Sequence, residues 1–316
     1  MTQTTQTTLE VLAPDGIGEV VAGTDLTALV APYVADGDVV VITSKVVSKA
    51  EGRVLAGDRE QAIRDETVRV VARRGSTAIV ETRLGIVLAA AGVDASNVEP
   101  GSVVLLPEDP DASARCIRED LAASYGVNVA VVVSDTAGRA WRHGQTDLAI
   151  GVAGMLPFES FDGRVDGYGN PLAVTAPAVA DEVAGIAEVA TGKLGNRPVT
   201  VVRGLAGRVL PPGEHGPGAR ALVRPTGSDM FGLGSREAVV AALSGRDQEA
   251  FGSPAAPQDL VRALEDCGLR ADPAGDHVVV AAELDDLRVA VLAFAFGWQV
   301  DRDESGDSAT ALVPLS

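Results

Sequence analysis

Three short runs constrain the fold more than anything else in the chain: DVVVITSK (38–45), VNVAVVVSD (127–135) and PVTVVRG (198–204). Each is β-branched and apolar, and the first two break off abruptly in polar residues. That is the pattern of buried strands whose exits deliver side chains to a site. Helical patterns fall between them. REQAIRDETVRVVARR (59–74) sets Ile63, Val68, Val70 and Val71 among charges, which predicts one amphipathic helix. DPDASARCIREDLAASYG (109–126) opens on acids and closes on Gly126, and PAVADEVAGIAEVATGK (177–193) has Pro177 at its start and Gly192 near its end. Both predict helices. Residues 76–98 predict two strands around a turn at 83–85.

A length of 316 residues predicts two units. The first is expected over 1–245, closing with a helix inside GSDMFGLGSREAVVAALSG (227–245). The second is a small α/β appendage over 259–316, after the linker FGSPAAPQ (251–258). The appendage carries 12 acids against four arginines. In it Phe294, Phe296 and Trp298 alternate at strand spacing, which predicts one shared face. GLAGRVLPPGEHGPG (204–218) is too rich in Gly and Pro for regular structure and reads as a long surface loop. Residues 1–8 read as a disordered Thr/Gln tail.

Charge narrows the function. With 44 acidic residues against 26 basic ones the net charge is −18, which argues against non-specific binding to nucleic acid or an anionic membrane. An anionic substrate must therefore be met by local cations. Cys116 and Cys267 fit no metal or disulfide pattern, and the N-terminus lacks the basic and apolar regions of a secretory leader. The expectation is a cytoplasmic protein that does not span a membrane.

Three segments carry chemistry. TSKVVSKAEGRV (43–54) packs Ser44, Lys45, Ser48 and Lys49 together, and on a helical turn both lysines project from one face. That suits polyphosphate oxygens, although a solvated surface turn has the same composition. AGVDASNV (91–98) offers Asp94, Ser96 and Asn97 as hard oxygen donors suited to Mg²⁺ or Mn²⁺, or as an Asx-turn. SDTAGRAWRHGQTD (134–147) places Asp135 and Thr136 at a strand exit, with Arg139, Arg142, His143, Gln145 and Asp147 following. A carboxylate beside a hydroxyl suits a metal, and guanidiniums suit carboxylates or phosphates. No P-loop and no dinucleotide-binding glycine motif is present.

Taken in order, these segments, with YGNPLAVT and PVTVVRG, resemble the coenzyme F420 γ-glutamyl ligases over roughly residues 9–245. The resemblance implies an unusual α+β, mixed-sheet fold without P-loop or Rossmann motif. It also implies a homodimer and GTP-dependent addition of L-glutamate to the deazaflavin coenzyme precursor. Two Mn²⁺ or Mg²⁺ ions per site are implied, GTP as co-substrate, and a monovalent cation as an optional further ion. Carried over by position, Ile17, Gly18, Glu19, Val20, Ser44, Lys49 and Asn97 are nucleotide contacts. Asp94 and Asp135 are ligands of the first metal and Thr136 of the second; in the mechanism the resemblance implies, Arg139 and Arg142, with Lys49, are expected to stabilise the transferring phosphoryl group electrostatically. The loop after VVRG, with Glu214, is expected to contribute nucleotide and second-metal contacts. Two other readings stay open: a non-catalytic nucleotide- or deazaflavin-binding homologue, and a metal-dependent phosphatase.

Overall fold

The computed structural model describes residues 8–306 and 309–315; the expected tail disorder therefore lies, apart from Thr8, outside the described residues. Of these residues, those within Met1–Arg69 and Val80–Val223 form one unit, and those within Val70–Ile79 and Arg224–Ser316 form a second. No helix among the described residues is long and apolar enough to cross a membrane.

The first unit is built on a five-stranded sheet. Its order is Glu10–Leu12, Val199–Arg203, Val39–Thr43, Ala130–Gly138, Gln145–Ala153. Val39–Thr43 runs parallel to Ala130–Gly138, with Thr43 opposite Ser134, and the other neighbours are antiparallel. This mixed sheet with its helices is the α+β class expected. Val40, Ile42, Val131 and Val133 point into one apolar layer, with Ile117 and Leu121 of the helix Pro110–Tyr125. Val39, Val41 and Val132 point into the other, with Val183 and Ala187 of the helix Val179–Thr191. Both faces are covered, so the strands read as continuous apolar runs.

The helix ends follow local chemistry. Asp109 caps Pro110–Tyr125 by accepting from the Ala112 N–H, and Gly126 closes it at φ 70°. A register shift opposite Val133 and Ser134 adds one residue to the neighbouring strand. Such a bulge bends the strand that carries the extra residue, here Gln145–Ala153 at Ile150.

The single helix expected over 59–74 is corrected. Arg59–Glu66 is helical, capped by Asp58, and Thr67–Arg74 is a strand of a three-stranded sheet with Thr77–Thr82 and Val87–Ala89. In TVRVVARR the β-branched residues suit a pleated surface better than a helix, and Thr67 ends the helix by donating its hydroxyl to the Ile63 carbonyl. The turn at 83–85 between two strands is as expected.

The second unit holds a four-stranded antiparallel sheet, ordered Ala271–Ala274, His277–Val280, Ala309–Pro314, Trp298–Gly306. Leu260 and Leu264 of the helix Pro257–Asp266, and Val289 and Ala293 of Leu287–Ala295, pack in one cluster with Val278, Trp298 and Leu312. The helix Ser235–Ser244 belongs to this unit. The shared aromatic strand face is corrected here. Phe294 is helical, Phe296 caps that helix, and Gly297 at φ 74° turns the chain before Trp298 starts a strand. The Asp286 cap and the glycine stop outweigh a two-residue alternation. Trp298 is buried and donates its indole N–H to the Ala255 carbonyl, while Phe294 meets Phe251 edge-on at 5.5 Å. Phe294→Leu is expected to cost about 1 kcal/mol, read as a lower midpoint in urea.

Candidate active site

The parallel pairing of Val39–Thr43 with Ala130–Gly138 brings two strand exits side by side. The helix Ser44–Ala50 begins as the first strand ends, so Ser44, Lys45 and Lys49 stand beside Ser134, Asp135 and Thr136. A cavity of about 1130 Å³ opens there. Its walls include Ile17, Gly18, Glu19 and Val20 on one side and Lys45 and Lys49 on the next. Ser96 and Asn97 form a third side, and Ser134, Thr136 and Asp147 lie at the sheet. The fourth wall is the end of Val179–Thr191 and its exit, with Glu188, Lys193, Asn196 and Arg197.

Carboxylates, hydroxyls and ammonium groups interlock around this space. Ser44 donates to Asp135 Oδ1 at 2.8 Å. Thr136 donates to Asp147 Oδ1 at 2.7 Å and Ser134 to Asp147 Oδ2 at 3.0 Å, while the Asp147 N–H donates to Glu188. Lys45 holds Asp94 at 2.6 Å and Ser96 Oγ at 2.7 Å. Lys49 is buried and pairs with exposed Glu19. Burial raises the Asp94 carboxyl, but the bonds from Lys45 and Ser96 outweigh it and hold the group below its ordinary value. Asp135 goes the other way. Burial first, and then the charges of Asp147 and Asp94, push it up to about 6 against the hydrogen bonds from Ser44 and the Thr136 N–H.

The family model described as F420-0:Gamma-glutamyl ligase matches residues 16–204. The chain belongs to this family. Relatives named coenzyme F420:L-glutamate ligase are similar to it over about two thirds of this chain and most of their own length. The Archaeoglobus fulgidus protein is 37% identical over 62% of this chain and 88% of its own length. The Methanocaldococcus jannaschii protein is 35% identical over 66% and 90%, and that of Halorubrum lacusprofundi 39% over 62% and 87%.

In this γ-glutamyl ligase family member, the structure gathers most of the residues singled out by sequence. Ile17, Gly18, Glu19, Val20, Lys49, Asn97 and Thr136 line the cavity. Asp94 is bonded to the lining residues Lys45 and Ser96, while Ser44 and Asp135, bonded to each other, adjoin the lining residues Lys45, Ser134 and Thr136 along the chain. The lysine segment is a helix rather than a solvated turn. The Asx-turn at Asp94 is also present, because its Oδ1 accepts the Ser96 N–H. Arg139 and Arg142 are not brought to the cavity. They are exposed on the connection between two antiparallel strands, where Arg139 donates to the His143 carbonyl. The 204–218 loop lies elsewhere too. Val199 pairs with Ile42 near the site, whereas Arg203 reaches Asp38 at the other end of the sheet, so Glu214 leaves from the far edge.

Sequence reasoning missed the wall at Glu188, Lys193, Asn196 and Arg197. Its only local signal was a polar segment after a helix stop at Gly192. In the sequence Asp147 stands out only as one charge among several. Among the described residues no three His, Cys, Asp or Glu side chains close into a ready metal cage. The donor set is nonetheless all hard oxygen, and the carboxylates that raise Asp135 are groups a cation would relieve. Mg²⁺ and Mn²⁺ commonly take one or two carboxylates and complete their shell with water and phosphate, and these residues fit that mode.

Proposed function

We propose that this chain is a ligase that joins L-glutamate to the deazaflavin coenzyme F420 precursor with GTP as co-substrate. One observation carries the reading: a single cavity sets Lys45 and Lys49 against an acid–hydroxyl cluster, in a chain of this family. All the reactants are anionic, and a chain of charge −18 must concentrate cations where they meet.

In this reading the coenzyme's terminal carboxylate attacks the γ-phosphorus of GTP, giving an acyl phosphate and GDP. The glutamate amine then attacks the acyl carbon, the C–O bond to phosphate breaks, and the nitrogen loses a proton as the amide forms. Asp94 and Asp135 would hold one divalent cation and Thr136 would help hold a second, and such cations would neutralise charge on the transferring phosphoryl group. Lys49 lies against Glu19 in the structure, and an incoming phosphate competes with that carboxylate for the buried ammonium. Lys45 keeps Asp94 ionised. The homodimer and the metal identity belong to this proposal as well.

Incubating the purified chain with the deglutamylated coenzyme, glutamate, Mn²⁺ and either GTP or ATP, then weighing the product by mass spectrometry, tests the reaction. A mass gain of glutamate with release of GDP supports it. Phosphate release from GTP without any glutamate adduct would favour the phosphatase. Lys49→Ala is expected to weaken GTP binding roughly 10- to 100-fold, since a charge-assisted hydrogen bond contributes about 1.5–3 kcal/mol. Calorimetric titration measures this, and an unchanged Kd removes Lys49 from the nucleotide site.

A further inference from the structure

Asp147 accepts two hydroxyl protons, one on each carboxylate oxygen, from Thr136 and Ser134. An ionised carboxylate only accepts, and a hydroxyl has one proton and two lone pairs. The direction of both bonds is therefore fixed. Each hydroxyl spends its proton on Asp147, and its lone pairs face elsewhere. Thr136 and Ser134 both line the cavity, but Thr136 is the more accessible, and Ser134 is 2% exposed. Asp147 is itself held from behind, its backbone N–H donating to Glu188 Oε2 at 3.0 Å. Strand register does the rest, since Thr136 and Asp147 are direct cross-strand partners.

We infer that Asp147 is a positioning residue that turns the lone pairs of Thr136 toward a cation in the cavity, acting through Thr136 rather than as a ligand. The inference rests on the metal site in the proposed function. Groups that orient a metal ligand by taking its proton typically change metal affinity 10- to 100-fold when replaced. Asparagine is the informative replacement. It has the same shape but offers one acceptor and one donor, so one of the two hydroxyls must reverse and aim its proton into the cavity.

The test is Mn²⁺ binding to the full-length chain without substrates, followed by loss of the free-ion electron paramagnetic resonance signal. Asp147→Asn is expected to weaken binding roughly 10- to 100-fold with an unchanged circular dichroism spectrum. Thr136→Val is expected to do the same, and the double variant to bind no worse than the weaker single one, because the two act as a unit. Asp147→Glu keeps two acceptors and is expected to fall between wild type and Asp147→Asn, which supplies a second variant should the asparagine form not fold. Unchanged binding in Asp147→Asn, or losses that multiply in the double variant, overturn the inference. If binding is lost in Asp135→Ala but kept in Asp147→Asn, only this inference fails. If the wild-type chain binds no Mn²⁺, the metal reading fails with it.

Discussion

Asp135→Ala is expected to abolish glutamate transfer while leaving the first unit folded. The carboxylate stands where the parallel strands end, takes the Ser44 hydroxyl, and feels the charges of Asp94 and Asp147. In the proposed reaction it brings a full negative charge to the cation, which neither water nor a serine replaces. A fall in turnover on the order of 10³-fold follows, about 4 kcal/mol of transition-state stabilisation. The fold should not suffer. Burial and like-charge neighbours disfavour the ionised group, so its removal relieves an unfavourable charge rather than breaking an ion pair. Mass spectrometry of the product and a thermal melt followed by circular dichroism read the two halves. Near-wild-type turnover with Mn²⁺ would remove Asp135 from the site. A collapsed melt would make its role structural.

Arg118→Ala is expected to have the largest effect on stability, on the order of 3–5 kcal/mol. Its side chain is 2% exposed on the helix Pro110–Tyr125. The guanidinium donates to the carbonyls of Val129, Leu210 and Pro211 and to Asn128 Oδ1, all within 3.0 Å. It also faces His215 Nδ1 at 3.3 Å. Because arginine only donates, that nitrogen accepts, which leaves Nε2–H to meet Glu119 at 3.1 Å. Gly154 is glycine for the same reason. Its φ is +80°, and a Cβ there would lie 2.2 Å from Arg118 Nε. Gly154 ties the loop down by accepting from the Leu210 N–H and donating to the His215 carbonyl. Alanine at 118 would leave a cavity and remove the donor to the buried Val129 carbonyl and to the loop carbonyls of Leu210 and Pro211, and lysine, a point charge with three donors, would restore only part. Denaturant unfolding gives the cost, and hydrogen exchange should quicken across 204–218. A variant as stable as wild type, with that loop still protected, would show that the clamp contributes nothing.

The contrast between these two sites shows how far local sequence reaches. The strands at 39–43 and 130–138 were legible because a covered sheet demands unbroken β-branched runs. The helix at 110–125 was legible because Asp109 and Gly126 satisfy its ends within a few residues. Ser44, Lys49, Asp94, Asp135 and Thr136 could be singled out because oxygen donors and ammonium groups at strand exits have recognisable chemistry and a matching family order. Those properties depend on neighbours along the chain.

What meets what across space depended on pairing. Thr43 stands beside Ser134 only because two strands 91 residues apart run parallel in one register. The fourth wall of the cavity, at Glu188 to Arg197, exists only because a helix packs on that sheet. Arg139 and Arg142, close in sequence to Asp135, leave the site because a strand advances about 3.3 Å per residue and carries them out onto the hairpin connection. The 204–218 loop follows an antiparallel strand and so starts from the far edge, where Arg118 holds it. Patterning within the sequence determined which segments are strands and helices and which side chains could do chemistry. The tertiary structure decided which of those side chains share a cavity, because strand pairing and register are long-range choices that no local run of residues encodes.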